Sequence, residues 1–220
     1  LATRTKPEGG ALPNVVERFV TGAIQEAQQS GRDASAVIAS RLAQLSELPN
    51  GYDFAEVVGA YWRGHDQGDD ALKSNAIRWL RGEINTKTEA RQLLGVRAIV
   101  DDESAYDFLK ILARFVRLAG YGGLIVCLDE MVNLYKLANS KSRQGNYEQI
   151  LRIVNDTLQG GVEGLGILFG GTPEFLMDDR RGLYSYEALR SRLAQNSFLR
   201  DGIRDLSGPV LSLPSLTPEE

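Results

Sequence analysis

Two adjacent carboxylates follow a short apolar run near the middle of the chain. Leu124–Leu128 is continuously apolar, is preceded by glycines and ends at Asp129 and Glu130. A short apolar run bounded by turn residues predicts an inner strand of a parallel sheet, buried on both faces. Ligands bind beyond the carboxyl ends of such strands, where Asp129 can hold hydrated Mg²⁺ and Glu130 can deprotonate an attacking water. The alternative is a strand followed by a helix whose first turn carries acids, as the helix dipole favours.

A hydroxyl side chain follows a second apolar run. Leu165–Phe169 predicts another strand, and Gly170, Gly171, Thr172 and Pro173 come directly after it. The carboxylate pair has the form of the Walker B motif of P-loop ATPases. Many of these enzymes place a sensor hydroxyl, which contacts the γ-phosphate or the water, at the end of the neighbouring strand. Alternatively, Thr172 caps a short helix that begins at Pro173.

Two arginines lie two residues apart in a segment that predicts a helix over residues 187–195. Arg190 and Arg192 point to different faces, so they would not serve one partner. Either is a candidate arginine finger, reaching the γ-phosphate bound by a neighbouring subunit of a homo-oligomer. The alternative is a solvated or salt-bridged helix face. A larger set of arginines would instead suit the phosphates of DNA: Arg180, Arg181, Arg190, Arg192, Arg200 and Arg204.

The glycine-rich loop that holds the phosphates of ATP is missing from these 220 residues. No G-x-x-x-x-G-K-[ST] occurs, because Lys73, Lys87 and Lys141 each lack a glycine directly before them. One cysteine and one histidine, His65, offer neither a zinc site nor a catalytic Cys–His pair. We therefore expect this chain alone to be inactive, even if a longer parent hydrolyses ATP.

Helical periodicity dominates the first part of the chain. Residues 13–95 predict a block of helices, with Asp33 and Thr86 as N-caps. Asp53 opens a third helix, and Asp69 with Asp70 opens a fourth. We expect a mainly helical domain over residues 1–100.

The pattern then alternates between helix and strand, which predicts an α/β core over residues 101–215 with right-handed crossovers. The predicted helices span 101–119, 130–138 and 144–158, and Val210–Leu213 predicts an edge strand.

Composition places the chain among ordinary globular proteins. It has 43% hydrophobic and 25% charged residues, which excludes a disordered, collagen-like or disulfide-stapled protein. A net charge of −4 excludes a globally basic nucleic-acid binder. No apolar run is long enough to cross a membrane, and the single cysteine, Cys127, is compatible with the predicted cytoplasmic location.

The two ends suggest a piece of a longer protein. The sequence starts at Leu1 without methionine, and Thr217 precedes Pro218 and two glutamates in the manner of a helix start. We expect residues 216–220 to begin a further helical region, a truncated lid.

Several segments together resemble the ATP-binding P-loop proteins of BREX-type phage-defence systems and, more broadly, AAA+ ATPases. The resemblance covers nearly the whole chain and rests on these segments: 1–4 with 9–12, 79–83, 124–134, 146–148, 170–175 and 181–189. It implies a partial AAA+-like P-loop NTPase (ASCE-like) fold that uses ATP and Mg²⁺. It further implies Asp129 as the Mg²⁺ carboxylate, Glu130 as catalytic base, Thr172 as sensor and Arg192 or Arg190 as finger. Members of this family carry their Walker A loop upstream of the position that is Leu1 here.

The sequence is compatible with three functions. The first is a fragment of an AAA+-like ATPase that remodels a defence or DNA complex. The second is a nucleotide-free scaffold that binds DNA or a defence-complex protein, and the third is a Mg²⁺-dependent phosphohydrolase that uses Asp129 and Glu130 alone.

Overall fold

The structure is a computed structural model that describes residues 10–194 and 208–213. Its residues fall into two compact units. Unit 1 contains the described residues up to Ile125 together with Val162–Gly166, and unit 2 contains Val126–Gly161 and the described residues from Ile167 onward.

Unit 1 is built from six helices in its described part. These are α1 (Ala11–Ser30), α2 (Ala34–Leu42), α3 (Gly51–Gln67), α4 (Asp70–Leu80), α5 (Lys87–Leu94) and α6 (Ala105–Leu118). A 3₁₀ turn, Ala43–Leu45, follows α2.

The predicted N-caps Asp33 and Thr86 are confirmed, and of the pair predicted to open α4 the cap is Asp69. Asp33 accepts a hydrogen bond from the backbone of Ala36 at 2.9 Å, and Asp69 accepts one from Leu72 at 2.9 Å. Thr86 accepts one from the backbone N–H of Glu89 at 3.2 Å. Each cap satisfies a backbone donor that the first helical turn leaves free, which fixes where the helix starts.

Aromatic rings fill the core of unit 1. Phe115 is fully buried and lies 5.0 Å from Phe19 and 5.4 Å from Phe54, measured between ring centroids. Trp79 meets Phe108 edge-to-face at 5.2 Å, and its indole N–H donates to the carbonyl of Ala98. These rings supply much of the apolar area that holds the helices together.

Unit 2 has a second, smaller core. The helices in its described part are α7 (Val132–Lys136), α8 (Ser140–Leu158), α9 (Pro173–Met177) and α10 (Glu187–Leu193), with a 3₁₀ turn at Leu183–Ser185. The buried side chains of this core are Met131, Tyr147, Ile150, Phe175, Leu183, Leu189 and Leu193.

The two predicted strands are confirmed at their predicted bounds, β1 (Leu124–Leu128) and β2 (Leu165–Phe169). They form a parallel pair, with backbone hydrogen bonds from Leu124 N to Gly164 O at 2.7 Å and from Gly170 N to Leu128 O at 2.9 Å. A mostly helical chain with a small parallel sheet agrees with the predicted α/β class.

The prediction that the first strand is buried on both faces is wrong within the described residues. Ile125 on β1 is 70% exposed, and Leu168 on β2 is 60% exposed. In the part of the chain that the structure describes, each strand pairs only with the other, so neither is an inner strand.

Two further expectations need correction. Residues 210–213 do not form a strand. The helix predicted from Glu130 begins at Val132, because Glu130 has a positive φ that no helix accommodates. The helix start predicted at Thr217 and the arginines at 200 and 204 lie outside the described residues.

Candidate active site

Asp129 is the first residue after β1 and is exposed. Its Oδ1 accepts a hydrogen bond from the backbone N–H of Glu130 at 2.8 Å. The carboxylate is therefore oriented by its own chain at the carboxyl end of the strand, where a ligand of an open parallel sheet would bind.

Glu130 adopts a backbone conformation that is rare for a residue with a side chain. Its φ is 55°, in the left-handed region. One carboxylate oxygen, Oε2, accepts a hydrogen bond from the Asn133 side-chain amide at 3.3 Å. Strained backbone of this kind concentrates at functional sites, where the surrounding structure holds it in place.

Two backbone hydrogen bonds fasten the turn at Asp129 and Glu130 to the end of β2. Gly170 donates to the carbonyl of Leu128 at 2.9 Å, and its own carbonyl accepts from Met131 N–H at 2.9 Å. Met131 is 8% exposed and packs in the core of unit 2. The structure thus brings Asp129, Glu130 and the end of β2 together.

Thr172 is the N-cap of α9. Its hydroxyl oxygen accepts from the backbone N–H of Phe175 at 3.4 Å. The pKa of Glu174 is lowered by a hydrogen bond from its own backbone N–H and then by one from the Thr172 hydroxyl. The structure therefore contains the capping role considered for Thr172, a residue that is exposed and lies two positions after Gly170.

The two candidate fingers have different surroundings. The Arg192 guanidinium donates to the side chain of Asn155 on α8 and to the carbonyl of Ala188. Arg190 lies 3.5 Å from Asp179, and its side chain is 53% exposed. This agrees with the expectation that the two arginines point to different faces.

A network that sequence reasoning missed holds the segment between α9 and α10. Asp178 accepts hydrogen bonds from the backbone N–H groups of Arg180 at 2.7 Å and Arg181 at 2.9 Å, and from the Tyr135 hydroxyl at 3.0 Å. These bonds, in that order, lower the pKa of Asp178. The Tyr147 hydroxyl donates to the carbonyl of Arg181 at 2.5 Å.

Arg181 also ties this segment to the end of α7. Its guanidinium donates to the carbonyl of Leu137 at 3.1 Å and lies 5.4 Å from the centre of the Tyr135 ring. Arg143 donates to the same carbonyl at 2.7 Å. The bonds from Arg180 and Arg181 to Asp178 span two and three residues and form a local turn. The contacts made by Tyr135, Tyr147 and the Arg181 guanidinium join residues distant in sequence, which no local pattern indicates.

The donors at the β1 end suit a magnesium ion. Mg²⁺ prefers oxygen ligands and is usually held through one or two carboxylates together with phosphates and waters. Asp129 and Glu130 offer two exposed carboxylates of this kind. Among the described residues, no group of three or more His, Cys, Asp and Glu is placed to hold a metal.

A cavity of about 240 Å³ in unit 1 has the wrong chemistry for a nucleotide. Its lining is apolar: Leu12, Phe54, Trp79, Leu80, Val100, Ala105, Phe108, Leu109 and Leu112. A phosphate needs converging N–H donors or cations, which this lining does not provide.

Comparison with known proteins defines the class as ATP-binding proteins. The family described as "BREX system ATP-binding protein BrxC/D" matches residues 1–220. The match covers the whole chain, so the chain belongs to this family of BREX phage-defence ATP-binding proteins. No curated protein and no solved structure matches. None of the helices in the described part of the chain has the length and apolar character needed to cross a membrane.

Proposed function

We propose that this chain supplies the metal-binding and hydrolytic part of an AAA+-like ATP site in a BREX defence ATPase. The observation that carries the proposal is the carboxylate pair at the end of β1, fastened to the end of β2 by Gly170. The family description, an ATP-binding protein, indicates ATP as the ligand. Ligands of open parallel sheets bind at the carboxyl ends of the strands.

Asp129 is the residue proposed to hold Mg²⁺. Its carboxylate is exposed, and one oxygen is already oriented by the Glu130 N–H. When bound, Mg²⁺ would neutralise charge on the β- and γ-phosphates. This hydrogen bond limits the rotation of the carboxylate, so less conformational freedom is lost when it binds the ion.

Glu130 is the residue proposed to orient and deprotonate the attacking water. The Asn133 amide holds its carboxylate through Oε2, which leaves Oε1 to accept a proton from water. The positive φ of Glu130 keeps this residue out of α7, which begins at Val132, so the proposed base lies in the turn between β1 and α7.

Thr172 is proposed as the sensor and Arg190 as the arginine finger. Thr172 is exposed and follows β2, at the strand end next to the carboxylate pair, which is the position proposed for a sensor hydroxyl. Arg190 is favoured over Arg192 because its side chain is more exposed and its pairing with Asp179 is a surface ion pair, which is weak.

The phosphate-binding loop is proposed to come from sequence outside these 220 residues, because no glycine-rich P-loop motif occurs within them. Titration calorimetry of the intact protein with ATP tests this assignment. Asp129→Asn should weaken Mg·ATP binding about tenfold or more and leave ATP binding in EDTA unchanged.

Asp66→Asn, an exposed aspartate on α3, is the matched control and should bind like wild type. Equal loss of binding with and without Mg²⁺ would contradict the assignment of Asp129 to the metal. The 220-residue chain alone should show no micromolar affinity for ATP.

A further inference from the structure

Gly170 lies against the Asp129 carboxylate at the end of β2. Its backbone N–H donates to Leu128 O and its carbonyl accepts from Met131 N–H, each at 2.9 Å. The two bonds flank the Asp129–Glu130 pair on both sides. Gly170, the residue that follows β2, therefore contacts the proposed metal-binding turn directly.

A side chain at this position would occupy the space of the carboxylate. A Cβ built on Gly170 would lie 2.5 Å from Asp129 Oδ1 and 3.4 Å from Cγ. The shorter distance is far below van der Waals contact. The φ of Gly170 is not in the left-handed region, so a side chain here would be opposed by the Asp129 carboxylate and not by the backbone conformation.

We propose that Gly170 is a positioning residue that keeps the Asp129 carboxylate in its metal-binding orientation. This inference rests on the proposed function of Asp129. Of the two groups that would collide, the Asp129 carboxylate is the end of an exposed side chain, whereas the Gly170 backbone is fixed by two hydrogen bonds. The carboxylate therefore moves, and it loses its hydrogen bond from Glu130 N–H.

Alanine is the smallest side chain that tests this role. In the intact protein, Gly170→Ala should raise the Mg²⁺ concentration required for half-maximal ATP binding about 10–100-fold. Direct Mn²⁺ binding, measured by electron paramagnetic resonance in the presence of ATP, should weaken by the same factor. ATP binding in EDTA should not change, which separates a positioning role from a general loss of structure.

Gly166→Ala is the matched control. Gly166 lies on the same strand, and its added Cβ would be 3.6 Å from Ile125 Cγ1, an ordinary contact. This variant should keep the metal dependence of wild type.

A double-mutant cycle checks the steric step without any metal. Gly170→Ala should lower Tm by about 2–4 °C when residue 129 is aspartate, and by much less in the Asp129→Ala background. An equal decrease in Tm in both backgrounds would contradict a collision between the added Cβ and the Asp129 carboxylate.

The outcomes separate this inference from the proposed function. If Asp129→Asn changes the Mg²⁺ dependence and Gly170→Ala does not, the role of Gly170 is wrong and the site stands. If neither variant changes it, both assignments fail.

Discussion

Glu130 combines a strained backbone with the proposed catalytic carboxylate. A left-handed conformation costs an ordinary L-residue about 1–2 kcal/mol, and φ is 55° here. The hydrogen bonds of Met131 to Gly170 and of Asn133 to Glu130 hold the turn in this form. A residue kept in an unfavourable conformation by its neighbours is typical of a site that serves function before stability.

Replacing this glutamate with glycine should stabilise the protein and destroy its activity. Glu130→Gly removes the side-chain penalty at positive φ and should raise the free energy of unfolding by about 1 kcal/mol. Denaturant unfolding measures the gain. Asn50→Gly, at a φ of 62°, should gain less because asparagine tolerates this region. A Glu130→Gly protein less stable than wild type would contradict the strain argument.

At the scale of elements, the helix caps and strand bounds were predictable because their signals are local. Asp33, Asp69 and Thr86 each cap through a bond to a residue three positions away. The helix predicted to begin at residue 144 begins at Ser140, because Asn139 is its N-cap. This start was also predictable, since asparagine is a favoured N-cap residue. Its side-chain oxygen accepts hydrogen bonds from the backbone N–H groups of Lys141 and Ser142.

The candidate site was predictable only in part. Asp129, Glu130 and Thr172 stand out because each follows a strand, and their chemical roles stay predictions. Gly170 and Asn133 act through contacts that depend on how the strand ends meet. The exposure of Ile125 depends on which strands pair, which an apolar run does not reveal.

The segment between α9 and α10 depends on one ionised carboxylate. Hydrogen bonds from Arg180, Arg181 and Tyr135 lower the pKa of Asp178. A lowered pKa means that the folded state favours the charged form, so this stabilisation is full above the ordinary pKa and disappears as pH falls through the lowered value.

Asp178→Asn should therefore lower Tm at neutral pH. The difference from wild type should shrink as pH falls below about 4, which thermal unfolding between pH 7 and pH 2 measures. Tyr135→Phe, which removes one of the three donors, should have a smaller effect. A difference that stays constant across this range would contradict the role of the charge.

At the scale of the whole molecule, the described residues form two hydrophobic cores and one proposed catalytic edge. Phe115 and its neighbouring rings fill unit 1, and Leu189 and Tyr147 lie in unit 2. The proposed hydrolytic residues all belong to unit 2. An arginine finger acts across subunits, so its contribution depends on assembly.

Mixing two inactive variants tests that assembly. Arg190→Ala should reduce ATP turnover by on the order of 10³-fold, and Glu130→Gln should abolish it. A mixture of the two proteins should regain turnover, because one subunit supplies the finger and the other the carboxylate. Arg192→Ala is the control and should act on stability, because Arg192 bonds within its own unit. No recovery on mixing would contradict a finger at Arg190.

The proposed hydrolytic site is tested most directly by measuring ATP turnover of the intact protein with Glu130→Gln, together with its affinity for Mg·ATP. Glutamine keeps the size of the side chain and its acceptor for Asn133 but cannot take a proton from water. If Glu130 is the catalytic base, this variant should bind Mg·ATP with wild-type affinity and show no measurable hydrolysis, and Glu148→Gln on α8 should behave like wild type. Unchanged turnover in Glu130→Gln would contradict the assignment of this strand end as the hydrolytic site.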